Sequence, residues 1–319
     1  MGRGGPIRFE RLTGDRHVSS STFPYSATEL DQFRQVQRLG YDIALTVESQ
    51  LQEGMTETEV CRLVAAAQAR LDVVQVFHEP YVWFGGRTLL SGAWAPEARG
   101  VLDLAAPGVR PNPSFLPTGA ALSEGVPLII DLAPVVHGIT ADVGYSCVFG
   151  NNVMFDDLDR GIARIRTFLL EGVRSGETMQ NLYRELDFLL AQRGWENCHQ
   201  NYPDRALGHL VFPLEQEPDC RSPIPGFGTA AAEGFLAAGR AALEDERAYP
   251  VWNDGPYSSH PAAPGIWAVE PHIGRDGVGV KFEELLVVTE DDAYWLDDHL
   301  LHAQRWAAAG YSIKPLGRV

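Results

Sequence analysis

Cysteine is scarce in this chain, and basic charge is scarcer than acidic charge. The four cysteines among 319 residues, Cys61, Cys147, Cys198 and Cys220, show no Cys-x-x-Cys spacing. That pattern argues against a zinc ribbon or a disulfide frame and fits reduced thiols in the cytoplasm. Lys and Arg number 26 against 42 Asp and Glu, a formal charge of −16. So acidic a balance disfavours binding to nucleic acid or to an anionic membrane surface, both of which need clustered cations. Long apolar runs are missing as well. A membrane-crossing helix needs about 18 or more apolar residues, and the best candidate, 126–136, is interrupted by Asp131. The first six residues carry neither an apolar signal region nor a myristoylation pattern. The expectation is a soluble cytoplasmic protein, for which a homodimer is the common assembly.

What is present begins after an arm of about 26 residues rich in Gly, Ser, Thr and Arg. Ser26 with Glu29 makes a capping box, and Leu30, Phe33, Val36, Ile43, Ala44 and Val47 follow at helical spacing. Thr56 with Glu59 opens a second helix after Gly54. An aromatic strand is predicted from Tyr81, broken by Gly85 and Gly86, followed by a proline-rich loop over 95–125. A hairpin over 127–149 comes next, then helices near 155–174 and 178–193, an Ala-rich helix near 229–245, and a second hairpin over 266–289. Helices then hairpin, twice over, predicts one α+β catalytic domain over 27–297 with a weak internal duplication, and a tail over 298–319.

The informative residues are acids where buried strands should be apolar. Asp131 ends the strand Pro127-Leu-Ile-Ile-Asp131. On the return strand Ile139, Ala141, Val143, Tyr145 and Cys147 share one face, and Asp142 lies on the other with Gly144 and Ser146. A reversal around Val136-His137 would set Asp131 opposite Asp142, with Cβ atoms roughly 5 Å apart. In the second hairpin the Asp276-Gly277 turn sets Glu270 opposite Glu283 rather than Glu284, a choice that a one-residue slip would reverse. Like charges so close need a cation. Hard oxygen donors with an imidazole suit Mn, Fe, Co or Zn in a two-metal site.

With these residues in view, the chain resembles the pita-bread metallopeptidases, the family of methionine aminopeptidase, aminopeptidase P, prolidase and the related creatinase. The likeness spans roughly 28–297 and rests on landmarks in family order. These are Gly54-Met-Thr-Glu57, Ile130-Asp131, Ala141-Asp142, Gly208-His209, Val269-Glu270-Pro271 and Lys281-Phe282-Glu283. The resemblance implies a curved antiparallel sheet of pseudo-twofold symmetry with helices outside. It further implies two divalent ions held by Asp131, Asp142, His209, Glu270 and Glu283, with Glu270 also acting as general base toward a metal-bound hydroxide. The implied reaction is hydrolysis of a C–N bond of peptide or amide type in a small molecule or short peptide.

Several family features are replaced. Seven residues beyond His209, where the family carries a substrate-contacting histidine, stands Gln216. Some 17 or 18 residues before the first ligand, where it carries another, the sequence reads Pro113-Ser114. The family's Asp-x-Thr-Arg reads Asp142-Val-Gly-Tyr145. Of His137, His260 and His272 as substitute proton carriers, His272 is the strongest because it shares the strand parity of Glu270. Tyr81, Trp83, Phe84 and Arg87 sit where the family builds a pocket wall, which makes Tyr81 and Arg87, with Gln216, the candidate substrate contacts. The alternative is a non-peptidase on the same cage: a creatinase-like hydrolase or lyase of a small nitrogenous metabolite, or an oxygen-activating di-iron enzyme.

Overall fold

The computed structural model describes residues 23–73, 75–91, 116–214, 233–234, 236–240, 249–311 and 315–317. Both capping boxes form. Ser26 and Glu29 open α1 (Ala27–Glu48), and Thr56 and Glu59 open α2 (Glu57–Arg70), each serine or threonine oxygen accepting from the N3 amide while the glutamate reaches back to the cap. Two of the orphan N–H groups at each helix start are thereby satisfied. In the first half the strands are β1 (Gln75–Val76), β2 (Tyr81–Phe84), β3 (Val126–Leu132), β4 (Pro134–Val136), β5 (Ile139–Thr140) and β6 (Val143–Phe149). The aromatic strand stops at Phe84 because Gly85 turns left-handed, φ 55°, into a 3-10 turn. α1 and α2 cover one face of the antiparallel sheet β2-β3-β6, where Tyr41, Val47 and Val64 bury against Leu128, Ile130, Val143 and Tyr145.

The second half repeats the plan. Helices α3 (Val153–Arg174) and α4 (Met179–Gln192) are capped by Asn152 and Thr178. The strands that follow are β7 (Glu196–Asn197), β8 (Gly208–Val211), β9 (Val251–Trp252), β10 (Gly265–Val269), β11 (His272–Arg275), β12 (Val278–Lys281), β13 (Glu284–Val288) and β14 (Ala293–Trp295). Leu158, Leu169 and Leu186 of the helices bury against Trp267, Ile273, Phe282 and Leu286. The two hairpins are stitched together at their centres. Ser146 Oγ donates to Lys281 O at 2.7 Å, Lys281 N donates back to Ser146 Oγ at 2.8 Å, and Glu283 N donates to Gly144 O at 3.1 Å. Among the described residues, no helix is long and apolar enough to cross a membrane.

Two expectations are corrected. The first hairpin turns at His137-Gly138, where φ is 51° and 81°, the two left-handed residues of a type I′ turn, and not at Val136-His137. Val136 pairs with Ile139, and Asp131 faces Gly144 rather than Asp142. The register differs by two residues, a full side-chain period, so Asp142 stays on the face of Asp131 although it is no longer directly opposite. The stretch after 297 is not a tail throughout. It carries α5 (Leu301–Ala308), whose His302 and Trp306 are buried, with Trp306 Nε1 donating to Asp159 at 2.8 Å. The i, i+4 spacing of those two aromatic rings places both on the face that meets Phe282.

The second hairpin keeps the expected register: Val269 pairs with Glu284 and His272 with Lys281, which leaves Glu270 across from Glu283. Glu284 therefore projects to the helix side. There it receives Arg166 through two bonds of 2.7 and 2.8 Å, and His302 at 2.7 Å.

Candidate metal centre

Strand parity brings the acids to one place. Gly144 and Ser146 continue the face that Asp142 occupies, and Glu270, His272, Lys281 and Glu283 share the facing side of the second hairpin. β8 pairs with β10 so that His209 lies across from Ala268, two residues from Glu270 and on the same face. Asp131, Asp142, His209, Glu270 and Glu283 are all buried. His209 Nε2 lies 3.3 Å from Asp142 Oδ2 and 4.0 Å from Glu283 Oε1. The donor atoms of Asp142, His209 and Glu283 all fall within 4.8 Å of one another, the spacing of side chains able to share one ion.

Two further side chains, which the sequence did not single out for this role, complete the cluster. His78 brings Nε2 to 3.0 Å from Asp142 Oδ1 and 3.3 Å from Asp131 Oδ1, making a second three-donor group that shares Asp142 with the first. It comes from the short link between β1 and β2, and reaches the site because β2 pairs with β3 so that Tyr81 sits across from Asp131. Lys281, fully buried, places its Nζ 2.7 Å from Asp131 Oδ2, 3.0 Å from Glu283 Oε2 and 3.2 Å from Glu270 Oε2. Its ammonium also lies 4.9 Å from the ring centroid of Tyr202. Lys281 was legible in principle, being two residues before Glu283 and so on its face.

The charges explain one another. Burial opposes ionisation of Lys281, but Asp131, Glu283 and Glu270 outweigh it and hold the ammonium well above its ordinary value. Burial likewise works against a charged His78, and Asp142 and Asp131 overcome it. Burial would raise Asp131, whose neighbours Lys281 and His78 pull it down instead. Glu283 is left over: burial and the charges of Asp142 and Glu270 push it well up. Four carboxylates around one ammonium and the His78 imidazolium still hold more negative charge than a buried volume tolerates. Asp131 Oδ1 is buried and makes no well-aligned hydrogen bond. An excess of buried negative charge and a mixed carboxylate–imidazole donor set both fit divalent metal ions.

The remaining sequence candidates divide. Tyr81 stacks on the His78 ring, centroids 5.3 Å apart at 17°, and borders the cluster. Arg87 is committed elsewhere: its guanidinium donates to the buried Glu57 at 2.8 Å and to Leu116 O at 2.7 Å. Glu57 also receives Phe84 N and Thr118 N, tying α2 to the end of β2. His272 is fully buried, with Nδ1 3.1 Å from Tyr202 Oη, and burial followed by Lys281 holds it well below its ordinary value. It stands behind Lys281, neutral, supporting Tyr202. His137 is exposed at the turn, and His260 accepts from Tyr249 N at 3.0 Å. Gln216, Pro113 and Ser114 lie outside the described residues.

The model of metallopeptidase family M24 matches residues 31–290, and the chain belongs to that family. Solved structures give the same architecture. The X-Pro aminopeptidase of Thermotoga maritima is 15% identical with a TM-score of 0.53, over 86% of this chain and 62% of that one. The prolidase of Pyrococcus horikoshii OT3 is 14% identical with a TM-score of 0.54, over 88% and 65%. The His243Ala aminopeptidase P of Escherichia coli is 14% identical with a TM-score of 0.53, over 91% and 61%. This chain thus spans less than two thirds of each of those structures, and identities this low establish the fold alone. That fold is the α+β pita-bread fold. No curated protein matches the chain.

Proposed function

We propose that the protein is a metal-dependent hydrolase that cleaves a C–N bond of peptide or amide type, using two divalent ions among Mn, Fe, Co and Zn. The observation that carries this reading is the pair of three-donor groups sharing Asp142. Divalent ions bound there would polarise a carbonyl and lower the pKa of a water molecule. The chain's own residues supply the rest. Asp142 offers one oxygen to each group; Asp131 and Glu283 flank it. Glu270, whose carboxyl burial raises against the opposing pull of Lys281 and His209, is placed at the cluster's edge to take a proton. Tyr81, whose ring stacks on His78 beside the cluster, is the substrate-contacting side chain in this reading. Cys61, Cys147 and Cys198 are free thiols, which supports a reducing, cytoplasmic setting.

The test is turnover of a panel of Xaa-Pro dipeptides, longer Xaa-Pro peptides and Met-initiated peptides by protein loaded with manganese or cobalt. Release of a free amino acid, abolished by chelator and restored by metal, is the expected result. Metal-loaded protein that cleaves none of them rejects the peptide branch, and protein that binds no metal rejects the reading.

A further inference from the structure

The ligand set expected from the family gives one imidazole, His209, and uses Glu270 as a ligand. Among the described residues the two three-donor groups include His78 and do not include Glu270. We propose that His78, not Glu270, completes the coordination, with Lys281 as a fixed counter-charge to the outer oxygens of Asp131, Glu270 and Glu283. This rests on the metal-dependent reading above and sharpens its ligand set.

Three observations converge. First, Lys281 holds the outer oxygens of Asp131, Glu270 and Glu283, and among the described residues Glu270 belongs to neither three-donor group. Second, His78 is built as a ligand. Its Nδ1 lies 2.7 Å from Glu79 O, which can only accept, so Nδ1 carries a proton, and Nε2, which faces Asp142 and Asp131, is the nitrogen where a metal ion would replace a proton. His209 is arranged in the same way, with Nδ1 toward Leu210 O and Nε2 toward Asp142. Donation from the far ring nitrogen to a backbone carbonyl is the usual support of a metal-bound histidine. The two imidazoles are stacked on aromatic rings of one segment, His78 on Tyr81 and His209 on Phe77.

Third, space has been made for the lysine. Gly144 stands where the family's motif has threonine, and a Cβ there would collide with Lys281 Cε. The chain has only two lysines, Lys281 and Lys314, among its 26 basic residues. Arginine, the residue used almost everywhere else, has a broad planar head. Lysine is a slim point charge that can pass beside Gly144 and meet three carboxylates. The cage would offer one imidazole to each ion with Asp142 common to both groups, beside a fixed ammonium that balances the outer carboxylate oxygens.

The experiment loads wild type, His78→Asn and Glu270→Gln with cobalt(II) by equilibrium dialysis, and counts cobalt per chain by elemental analysis. Circular dichroism verifies that each variant folds. Wild type is expected to take up two ions, His78→Asn to lose one, halving the bound cobalt, and Glu270→Gln to keep both. A measurement on wild type alone guards against a variant that fails to fold. The proton spectrum of the cobalt protein should show two hyperfine-shifted exchangeable imidazole N–H signals, one from each histidine. One such signal, or full cobalt in His78→Asn with half in Glu270→Gln, overturns the exchange and leaves the metal reading standing. A wild-type chain that takes up no cobalt overturns both.

Discussion

Lys281→Met removes the ammonium while keeping most of the aliphatic stem, so it isolates the charge. In the metal-free protein the change strips Asp131, Glu270 and Glu283 of a partner at 2.7–3.2 Å in a fully buried position. Breaking a buried ion pair from one side costs about 3–5 kcal/mol. Three carboxylates lose a partner here, but Glu283 already sits well up and relieves part of the repulsion by taking a proton. The single-pair range therefore stands as the expectation for the whole cluster. At roughly 2–4 °C of Tm per kcal/mol, the metal-free variant should melt roughly 6–20 °C below wild type. Divalent metal should reverse the order of effects. The variant's cage lacks a repelling cation at contact distance, so it binds metal more tightly, and tighter binding to the folded state raises Tm further. The assay is thermal unfolding of both proteins in chelator and in a manganese or cobalt series. Metal should lift the variant by more degrees than wild type. Equal Tm values in chelator, or equal increments with metal, would refute the account of Lys281 as a built-in counter-cation.

Other outcomes follow from the same geometry. Asp142→Asn should remove both ions from a cobalt-loaded sample, because Asp142 alone belongs to both donor groups; retention of one ion would show that it is not shared. Gly144→Ala should lower Tm in chelator as Lys281→Met does, since the added methyl displaces the lysine stem, and unchanged melting would mean that the stem has room to move. Glu284→Gln should leave cobalt binding intact and still destabilise the fold, measured by urea unfolding; loss of cobalt would return Glu284 to the ligand set. Burial would raise Glu284, but Arg166 and His302 hold it down to about 2. Against an unfolded value of about 4.3, that pairing contributes stability of roughly 3 kcal/mol, present above pH ~4.3 and lost as the pH falls toward 2. The glutamine variant should show a flatter acid limb.

How much of this was legible depended on whether a feature is local or needs a third element. The capping boxes at Ser26 and Thr56 are read within four residues, and both helices start there. The Asp276-Gly277 turn is a strong local signal, and it set the second register correctly, which is what separates Glu283 from Glu284. At His137-Gly138 the left-handed histidine disguised the turn, and the register was misplaced by two. The site survived because a two-residue slip conserves the face; a one-residue slip would have turned Asp142 toward Tyr41 and the helices. Arg87 illustrates the opposite failure. Its position where the family builds a pocket wall points to a substrate contact, and only the packing of α2 against β2 reveals Glu57 as its partner.

His78 and Lys281 mark where sequence logic stops for a physical reason. His78 lies in a link with no alternating pattern, and its approach to Asp131 is fixed by pairing between β2 and β3, more than 30 residues apart in sequence. Lys281 could be placed on the ligand face by parity alone, yet a lysine beside a glutamate on a strand is ordinarily a solvated pair. What distinguishes it is composition seen from inside the fold. A chain that uses arginine almost everywhere places one of its two lysines at full burial, next to a glycine whose missing side chain makes the room. Neither residue explains the other separately: glycine at 144 leaves a void without the lysine, and the lysine cannot reach the carboxylates past a threonine. Threonine at 144 together with the shorter, uncharged glutamine at 281 should therefore cost less than the sum of the two changes made singly. A double-mutant cycle in Tm under chelator measures that coupling directly, and strict additivity would separate the two residues again.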